Sequence, residues 1–405
     1  MKILEVLDCY YPKFDGPVQV VTNYCKSLNK IEGCSAEVCV PRFPKYTDNQ
    51  PFPVFRVSSL KGPEGYYYGV PSFDSKLKKY LKENRFDVIH VHSPFTMCGF
   101  FADYGKRHKI PVIFTFHTKF REDFERVMKG NKLKINVSMS YIMGNIKKVY
   151  KVLSVSDGAG ECLNSYGYKK SIDVIRNGTD LVFPENAEEL KNIVREKHNL
   201  KSDETILLSV GRIVENKKLD FALDVCKILK ERNFNFKYII VGAGPYENSL
   251  KAKVSELKLD DVVIFTGKVM DRELLSAYYL ASSLFVFPST FDTASLAPIE
   301  ASAMKLPTVM TAGCSTAEII CPDEDGLLCK ENDADEWAQK IIDASVSGKL
   351  GYLSENAFKN VYKTWDEVAK EVYAYYVNTI DEYKKKIEGR KKKTERKMKT
   401  ERKKK

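Results

Sequence analysis

Short apolar segments rich in β-branched residues alternate with amphipathic segments along this chain, and the alternation occurs in two series. The predicted strands are 2–7, 36–40, 87–91, 111–116, 151–155 and 172–175, followed by 205–210, 237–241, 262–266, 283–287 and 307–310. Several of them are apolar on both faces, which is typical of strands covered by helices on each side. Alternating strands and helices form parallel sheets through right-handed crossovers. The pattern therefore predicts two doubly wound α/β domains.

The domain boundary is expected in the polar stretch that follows Arg-Asn-Gly-Thr-Asp (176–180). A chain of 405 residues is long for one hydrophobic core. We therefore expect an N-terminal domain over residues 1–182 and a C-terminal domain over 183–362. An amphipathic helix over 363–383 and a basic, disordered or loosely helical tail over 384–405 are expected to follow.

The net charge of +11 lies entirely in that tail, where fourteen Lys or Arg residues accompany three Glu. The remainder of the chain is balanced, and it has no basic stripe interleaved with aromatic residues of the kind that binds nucleic acid. The tail contains too few apolar residues to fold alone. Three roles are open for it: a solvated segment, contact with nucleic acid, or attachment to an anionic membrane surface.

Other bulk features narrow the class of protein. No apolar run is long enough to span a membrane, and the N-terminus lacks the basic, apolar and small-residue regions of a signal peptide. The ten cysteines show no Cys-x-x-Cys spacing, so we expect no zinc site and no disulfide framework. A cytoplasmic location is expected.

Residues 287–304 carry the strongest local signal. A strand ends at Pro288, and a helix is expected to begin near Leu296 with Pro298 in its first turn. The unpaired N–H groups of a helix start suit a diphosphate. Asp292 and Glu300 flank this start, so one carboxylate can face a sugar and the other a ribose. The alternative is a capped helix with a solvated glutamate.

A second signal is Gly-Arg-Ile-Val-Glu-Asn-Lys, in which Arg212 and Lys217 leave a strand together. Open α/β sheets bind ligands at the carboxyl ends of their strands. Two fixed cations at that edge would neutralise a departing diphosphate without a metal ion. The alternative is an ordinary basic surface loop.

Three further patterns predict structure rather than chemistry. Gly242-Ala243-Gly244-Pro245 is half a dinucleotide fingerprint, and the following proline favours a tight turn. Asp323-Glu324-Asp325 precedes a glycine and favours a turn over a metal site. His90 and His92 point to one face of a strand, where packing is favoured over metal binding because no third ligand is near in sequence. The sequence therefore predicts no metal site.

Taken together, these motifs resemble the family 4 glycosyltransferases, whose GT-B fold has two doubly wound Rossmann-like domains with a cleft between them. The resemblance spans most of residues 1–380. The motifs that carry it are Gly211-Arg212 with Lys217, Val241-Gly242-Ala243-Gly244-Pro245, Phe265-Thr266-Gly267, Asn177-Gly178-Thr179-Asp180, and the acid pair Asp292 and Glu300.

The resemblance implies a role for each matched residue. Arg212 and Lys217 would bind the diphosphate. Glu300 would hold the ribose hydroxyls, and Asp292 would hold hydroxyls of the transferred sugar. His117 matches the histidine that such enzymes place near the reacting sugar.

Further donor contacts are implied at two turns. The backbone N–H groups of Ser295 and Leu296 would face the distal phosphate. Lys268 and Val269, which follow the Gly267 turn, would lie beside the base.

Three departures from the family pattern concern the donor. Asp292 stands where the family usually has Glu, and Ala294-Ser295 stands where Phe-Gly is usual. The first loop has Asp15-Gly16-Pro17 in place of two adjacent glycines, and Pro17 has no N–H. A phosphate contact is still expected at Gly16.

The resemblance implies a retaining, metal-independent transfer of a hexose from a nucleotide sugar, by family frequency a UDP-sugar, to a glycan or lipid-linked acceptor of cell-envelope synthesis. No cofactor beyond the nucleotide-sugar co-substrate is implied. Because such enzymes often use lipid-linked acceptors, the tail is expected to hold the protein peripherally on the inner face of the membrane. The alternatives are a GT-B epimerase, a non-catalytic carbohydrate-binding relative and a nucleic-acid-binding protein.

Overall fold

The structure is a computed structural model that describes residues 1–13, 15–62 and 65–402. The chain divides into two compact units. The first contains residues 1–176 together with the C-terminal segment that begins at Trp365, and the second is Asn177–Thr364. The division thus falls six residues before the expected boundary at 182, and the C-terminal helix belongs to the first unit rather than standing apart.

Among its described residues, the first unit has nine strands. Seven of them form one parallel sheet in the order β3-β2-β1-β6-β7-β8-β9, and two form a small antiparallel pair, β4-β5. The strands are β1 (Lys2–Val6), β2 (Ser35–Pro41), β3 (Val54–Val57), β4 (Ser59–Lys61), β5 (Tyr67–Gly69), β6 (Val88–Val91), β7 (Val112–Phe116), β8 (Lys151–Ser154) and β9 (Asp173–Val174). The helices between them are α1 (Gly16–Leu28), α2 (Ser75–Glu83), α3 (Thr96–His108), α4 (Phe120–Val127), α5 (Lys132–Lys148) and α6 (Asp157–Ser165).

The second unit contains a six-stranded parallel sheet in the order β12-β11-β10-β13-β14-β15. Its strands are β10 (Thr205–Val210), β11 (Phe236–Val241), β12 (Val263–Gly267), β13 (Leu284–Phe287), β14 (Thr308–Thr311) and β15 (Gly326–Cys329). Its helices are α7 (Ala187–Lys197), α8 (Leu219–Glu231), α9 (Glu247–Glu256), α10 (Arg272–Leu280), α11 (Ala297–Ala303), α12 (Ala334–Val346) and α13 (Lys349–Asn360).

Two apolar clusters cover the two faces of this second sheet. On β11, Ile239 and Val241 belong to one cluster, whereas Tyr238 and Ile240 belong to the other. Successive side chains of a strand point to opposite faces, so both faces of this strand are buried. The expectation of two doubly wound α/β domains is confirmed in both units.

The last helix, α14 (Trp365–Arg402), packs against α1 of the first unit. Trp365, Val368, Val372 and Tyr376 form its buried face, and the Trp365 ring meets the Tyr24 ring edge-on at 5.8 Å. This face matches the amphipathic helix expected over 363–383. The helix continues through the expected tail to Arg402, so the described part of the tail follows the helical alternative rather than the disordered one, in agreement with the high helix propensity of Lys, Arg and Glu; residues 403–405, the remainder of that tail, lie outside the described part of the chain.

Among the residues that the structure describes, no helix is both long enough and apolar enough to cross a membrane.

Candidate functional site

The loops after β10 and β13 meet at the topological switch point of the second sheet. β10 and β13 are neighbours at its centre, and the chain proceeds from them toward opposite edges. Such a point leaves a crevice beyond the carboxyl ends of the two strands, where open α/β sheets bind ligands. A pocket lies there, lined by residues that include Gly211, Arg212, Lys217, Phe287 and Pro288. The structure thus brings both sequence signals to one edge.

Glycines let the first of these loops pack against the turn after β11. Gly242 has φ +149°, and a Cβ atom there would lie 1.8 Å from the carbonyl oxygen of Gly211. A Cβ atom at Gly244 would lie 2.0 Å from the oxygen of Ile213. Any larger residue would separate the two backbones. The Val-Gly-x-Gly-Pro motif therefore forms a close turn against the cationic loop, as predicted.

Lys217 and Asp292, one from each loop, form an ion pair. Lys217 Nζ donates to Asp292 Oδ1 at 2.7 Å, and the Ser289 hydroxyl donates to Oδ2 at 2.6 Å. About a fifth of each charged side chain is exposed (23% and 21%), so both groups remain accessible from solvent. Each fixes the position of the other at the mouth of the pocket. The sequence motifs imply contacts of the two residues with different parts of a donor, and they do not indicate that the two residues contact each other.

Arg212 lies beside this pair and is exposed. Within the described ranges it has no hydrogen-bond or ion-pair partner. Its guanidinium presents five N–H donors in a planar fork that matches a phosphate. The switch point therefore holds one cation committed to a carboxylate and one available for an anionic ligand.

Glu300 lies one turn into α11 and is buried, with 6% of its surface exposed. Its Oε1 accepts from Arg272 Nη2 at 2.9 Å, and its Oε2 accepts from the Tyr279 hydroxyl at 2.9 Å. Arg272 also pairs with Asp180 of the Asn-Gly-x-Asp motif. Both oxygens of Glu300 are thus already engaged, although each carboxylate oxygen can accept a second hydrogen bond. No local pattern in the sequence indicates Arg272 or Tyr279 as its partners.

The loop before α11 is held by a short chain of hydrogen bonds. The Ser295 N–H donates to Thr316 Oγ1 at 3.3 Å, and the Thr316 hydroxyl donates to the Asp292 carbonyl at 3.2 Å. Leu296 stands at the N-cap of α11, and Pro298 lies in its first turn, as predicted. The Ser295 amide is thus engaged before any phosphate arrives. Thr316 is a positioning residue of this loop that the sequence analysis missed.

The turn after β12 carries the two residues assigned to the base. Lys268 is exposed, whereas Val269 is half-buried and packs against the apolar cluster beneath it. Gly267 has φ +73°. Lys268 can therefore offer a base an exposed positive charge, whereas Val269 can offer it an apolar surface.

The Asn-Gly-x-Asp motif lies where the chain enters the second unit. A Cβ atom at Gly178 would lie 2.8 Å from the backbone of Thr364, and Thr179 donates its N–H to the Lys363 carbonyl at 2.8 Å. Asn177 Nδ2 donates to the Ala294 carbonyl at 3.2 Å, which ties the motif to the loop of Asp292. The motif thus joins the two ends of this unit, and through Asn177 it also holds the loop that carries Asp292.

The first unit has its own switch point, between β1 and β6. Glu5 on β1, His92 after β6 and His117 after β7 are joined there by hydrogen bonds. His92 Nε2 lies 2.7 Å from Glu5 Oε2, and His92 Nδ1 lies 2.9 Å from His117 Nε2. Burial lowers the pKa of His92 to about 3 and holds the pKa of His117 well below its usual value. Both imidazoles are therefore neutral at ordinary pH.

The other oxygen of Glu5 leads to a second branch of the same network. Tyr376 of α14 donates its hydroxyl hydrogen to Glu5 Oε1 at 2.9 Å. The Tyr376 oxygen also lies 2.6 Å from His90 Nδ1, and His90 Nε2 lies 2.6 Å from Thr115 Oγ1. Glu5 has no exposed surface, and burial raises its pKa to about 8, with the Tyr376 hydrogen bond opposing the shift.

Glu5, His90 and His92 also satisfy the spacing of a metal site, since their ligand atoms all lie within 4.8 Å of one another. Glu5 supplies the third oxygen or nitrogen atom of this group, and it lies on β1, far from the two histidines in the sequence. However, His92 Nε2 and Glu5 Oε2 already share a hydrogen bond, and Tyr376 bridges Glu5 to His90. The network accounts for these polar atoms without an ion. Asp323 pairs with Lys349, and Asp325 accepts from the Cys321 N–H, as expected of a turn.

Two carboxylates anchor the loop after β1. Asp8 accepts from the Ser93 hydroxyl at 2.9 Å, and burial raises its pKa to about 6. Asp15 caps α1 by accepting from the Val18 N–H at 3.0 Å. Gly16 begins that helix with open space around its Cα. Because Asp15 already occupies the helix start, a phosphate at Gly16 would have to share it.

The family described as Glycosyltransferase Family 4 matches residues 14–183, and the family described as Glycosyl transferases group 1 matches residues 191–360. The two matches together cover most of both units.

Two relatives are named alpha-monoglucosyldiacylglycerol synthase. The protein from Streptococcus pneumoniae is 27% identical over 318 residues, which cover 76% of this chain and 70% of the relative. The protein from Acholeplasma laidlawii is 24% identical over 418 residues, which cover 96% of this chain and 99% of the relative.

Solved structures agree on the fold. Anabaena HepE in complex with UDP superposes with a TM-score of 0.73 at 16% identity, covering 93% of this chain and 100% of that one. The same protein in complex with UDP-glucose gives a TM-score of 0.69. The likeness confirms the expected GT-B fold of two Rossmann-like domains.

Proposed function

The chain belongs to the family 4 glycosyltransferases, and on that premise we propose that it transfers a hexose from a UDP-sugar, with retention of configuration, to a lipid acceptor. The observation that carries the proposal is the pair of cationic side chains, Arg212 and Lys217, at the switch point of the second sheet. A nucleoside diphosphate is the anionic ligand that such a pair fits. HepE forms complexes with UDP and with UDP-glucose, which supports uridine as the base.

Charge develops on the departing phosphate as the glycosidic bond breaks, and the two cations stabilise it. Arg212 binds the diphosphate directly through its planar fork of donors. Lys217 is held by Asp292, so it needs no reorganisation when the charge appears. Preorganised charge of this kind is usually the largest single contribution to catalysis. These side chains supply the positive charge that a metal ion would otherwise provide, and we propose a metal-independent reaction with no cofactor beyond the nucleotide sugar.

The remaining site residues bind and orient the donor. Asp292 accepts hydrogen bonds from hydroxyls of the transferred sugar, and Glu300 accepts from the ribose through lone pairs that Arg272 and Tyr279 leave available. Lys268 and Val269 lie beside the base, and the amides near Ser295 and Leu296 face the distal phosphate. In the first unit His117 hydrogen-bonds the reacting sugar, and Gly16 approaches a phosphate.

A lipid acceptor is supported by the names of two relatives, which refer to a glucosylated diacylglycerol. It is also supported by the surface of α5, where Leu133, Val137 and Tyr141 form an exposed stripe at intervals of four residues. Lys132 and Lys134 are exposed beside it. An apolar stripe flanked by lysines suits the interface of an anionic bilayer. We propose that this stripe and the basic segment 384–405 hold the protein peripherally on the inner face of the membrane.

The donor is tested by incubating the full chain with a panel of nucleotide sugars and measuring nucleotide release with and without diacylglycerol in mixed micelles. We expect release of UDP that depends on the lipid acceptor. Release of nucleotide without any acceptor would favour hydrolysis or epimerase chemistry, and no release from any donor would favour a non-catalytic relative.

Membrane attachment is tested by co-sedimentation with vesicles that contain anionic lipid. We expect the full chain to bind at low salt, and binding to weaken as salt rises because screening removes the charge attraction. A chain ending at Tyr383 and the double variant Leu133→Ser/Val137→Ser should each bind more weakly. Equal binding by all three proteins would remove both segments from membrane attachment.

A further inference from the structure

Helix α10 supplies two side-chain donors to the buried carboxylate of Glu300. Arg272 and Tyr279 lie seven positions apart in this helix, which is about two turns, so their side chains share one face. We propose that these two residues fix the orientation of the Glu300 carboxylate and thereby set the selectivity of the site for ribose over 2′-deoxyribose. Both are positioning residues, and the proposal rests on the proposed function of Glu300 in binding the ribose of the donor.

The two donors hold different oxygens of the carboxylate. Arg272 Nη2 donates to Glu300 Oε1 at 2.9 Å, and the Tyr279 hydroxyl donates to Oε2 at 2.9 Å. Turning the carboxylate about its terminal bond would move both oxygens away from their donors. The plane of the Glu300 carboxylate is therefore fixed before any ligand arrives.

Neither donor changes its protonation state at ordinary pH. The guanidinium of Arg272 stays charged. Burial and the neighbouring charge of Glu300 hold the pKa of Tyr279 well above its usual value, so the phenol keeps its proton. Tyr279 has no exposed surface and Glu300 exposes only 6% of its own, so water competes little for the hydrogen bond between them. Both donors therefore hold the carboxylate whether or not a ligand is bound.

The lone pairs that remain on Glu300 match two neighbouring hydroxyl groups. A carboxylate accepts hydrogen bonds at about four positions, two on each oxygen. Arg272 and Tyr279 occupy one position on each oxygen and leave one on each. Two adjacent acceptors fit two adjacent hydroxyls, which is what the 2′ and 3′ positions of ribose present. A 2′-deoxyribose has only one of these hydroxyls, so it would leave an acceptor of a buried carboxylate unpaired and would bind more weakly.

Arg272 is itself held in place by the chain around it. It is the first residue of α10, and the side chain of Asp271 caps the start of that helix. Arg272 Nη2 also pairs with Asp180, which precedes α7. One cation thus faces two carboxylates, so the cluster as a whole accepts hydrogen bonds and suits a ligand that offers hydroxyl groups.

Isothermal titration calorimetry of the full chain tests the proposal without any turnover. The probes are UDP and dUDP, followed by ADP and GDP with their 2′-deoxy forms. We expect wild type to bind UDP about ten- to a hundredfold more tightly than dUDP. Tyr279→Phe removes one hydroxyl and keeps the ring, so it should weaken UDP about three- to tenfold and dUDP less, which lowers the ratio of the two affinities. If Tyr279 only supported the packing of α10, both nucleotides would be weakened equally.

A matched control is Tyr278→Phe, which removes the hydroxyl of the neighbouring residue in the same helix. The Tyr278 hydroxyl lies 3.0 Å from His198 Nε2, so this variant leaves both donors of the carboxylate in place. It should keep the wild-type affinities and their ratio. Arg272→Gln removes the cation and should lower the ratio as Tyr279→Phe does. If Arg272→Gln does not fold, wild type and Tyr279→Phe still decide the matter.

Three results would overturn the proposal. The first is equal binding of UDP and dUDP by wild type, and the second is a wild-type ratio in Tyr279→Phe. The third is binding of none of these nucleotides, which would also remove the role assigned to Glu300.

Activity separates this proposal from the proposed function. A preference for UDP over dUDP that Tyr279→Phe reduces, without any hexose transfer, would support the proposal and contradict the transferase activity. Where transfer occurs, Tyr279→Phe should raise the donor KM about three- to tenfold with kcat little changed, because the ribose is held equally in the ground state and the transition state. In a Glu300→Ala background the same change should leave KM unaltered. A further rise of KM there would show that Tyr279 acts independently of Glu300 and would contradict the proposal.

Discussion

At the switch point of the first sheet the polar side chains are buried and bonded to one another, whereas at that of the second sheet they are charged and reach solvent. Glu5 and His92 have almost no exposed surface. Lys217 and Asp292 each expose about a fifth of theirs, and Arg212 is exposed. The two sheets share a topology and place these residues at the same edge. The difference therefore lies in the residues and not in the architecture.

This contrast separates two kinds of recognition. An anionic ligand is bound by fixed charge that remains available, so the second unit suits a diphosphate. A sugar has neutral hydroxyls that both donate and accept, so a neutral imidazole such as that of His117 in the first unit suits the role proposed for it. Burial is what keeps those imidazoles neutral. The same topology thus supports a charged, accessible edge in one unit and a neutral, buried edge in the other.

The largest expected effect comes from removing the exposed charges. Arg212→Ala and Lys217→Ala should each lower kcat about 10²–10³-fold, by analogy with the loss of one preorganised donor at a developing negative charge. Neither should lower the melting temperature appreciably, since both side chains lie in loops of the site. Steady-state kinetics with thermal denaturation checks both statements.

Lys218→Ala is the matched control, because Lys218 is adjacent to Lys217 and pairs with Glu331. It should retain nearly full activity. If Arg212→Ala or Lys217→Ala kept more than about half of the wild-type rate, the proposed stabilisation of the departing diphosphate by these two cations would be wrong.

Glu300→Gln sharpens the comparison within the second unit, since Glu300 is buried whereas Asp292, the other carboxylate assigned to the donor, reaches solvent. If Glu300 accepts from ribose hydroxyls as well as from Arg272 and Tyr279, its loss should raise the donor KM about tenfold with kcat little changed. Asp180→Asn removes the other carboxylate of Arg272 and serves as the control. A lower melting temperature with an unchanged KM would show that Glu300 stabilises the packing of α10 and does not bind the donor.

The sequence predicted most strands of both sheets, because most of them are apolar on both faces. It missed β3, a strand of four residues that includes Arg56, and it missed the antiparallel pair β4–β5. These strands are short and partly exposed. It also missed β15, which directly follows the acidic turn at 323–325. It also ended the last helix at Tyr383, because periodic apolar residues stop there while helix propensity does not.

The site was predictable only where it is local in sequence. Arg212, Lys217, Asp292 and Leu296 follow strands in recognisable motifs, and the structure brings them to one edge. The pairing of Glu5 with Tyr376 joins residues 371 positions apart, and no periodicity or spacing can indicate such a contact. The partners of Glu300 were missed for the same reason.

The buried carboxyl group of Glu5 in the first unit leads to a prediction about how the stability of the protein depends on pH. The pKa of Glu5 is raised in the folded protein, so its contribution to stability is fully present below its unfolded pKa and is lost as pH rises toward about 8. Glu5→Gln stays neutral at every pH. The free energy of unfolding of wild type relative to Glu5→Gln should therefore fall with rising pH, by up to about 1.4 kcal/mol per pH unit. Urea denaturation from about pH 5 to pH 9 measures it; parallel curves would contradict a raised pKa.

The smallest expected effect is that of chelation, which should leave activity unchanged within about twofold. The physical reason lies at the switch point of the second sheet, where Arg212 and Lys217 supply the positive charge that neutralises a diphosphate. The assay is the steady-state rate before and after excess EDTA, with addition of Mg²⁺ or Mn²⁺ to the chelated protein. The alternative is a metal ion in the buried cluster of the first unit, because Glu5, His90 and His92 have the spacing of three metal ligands. Loss of activity on chelation, restored by added metal in wild type but not in His90→Gln, would assign an ion to that cluster. Both halves of the comparison would then be wrong, since the neutral network would be a metal centre and the exposed cations would not suffice for the diphosphate.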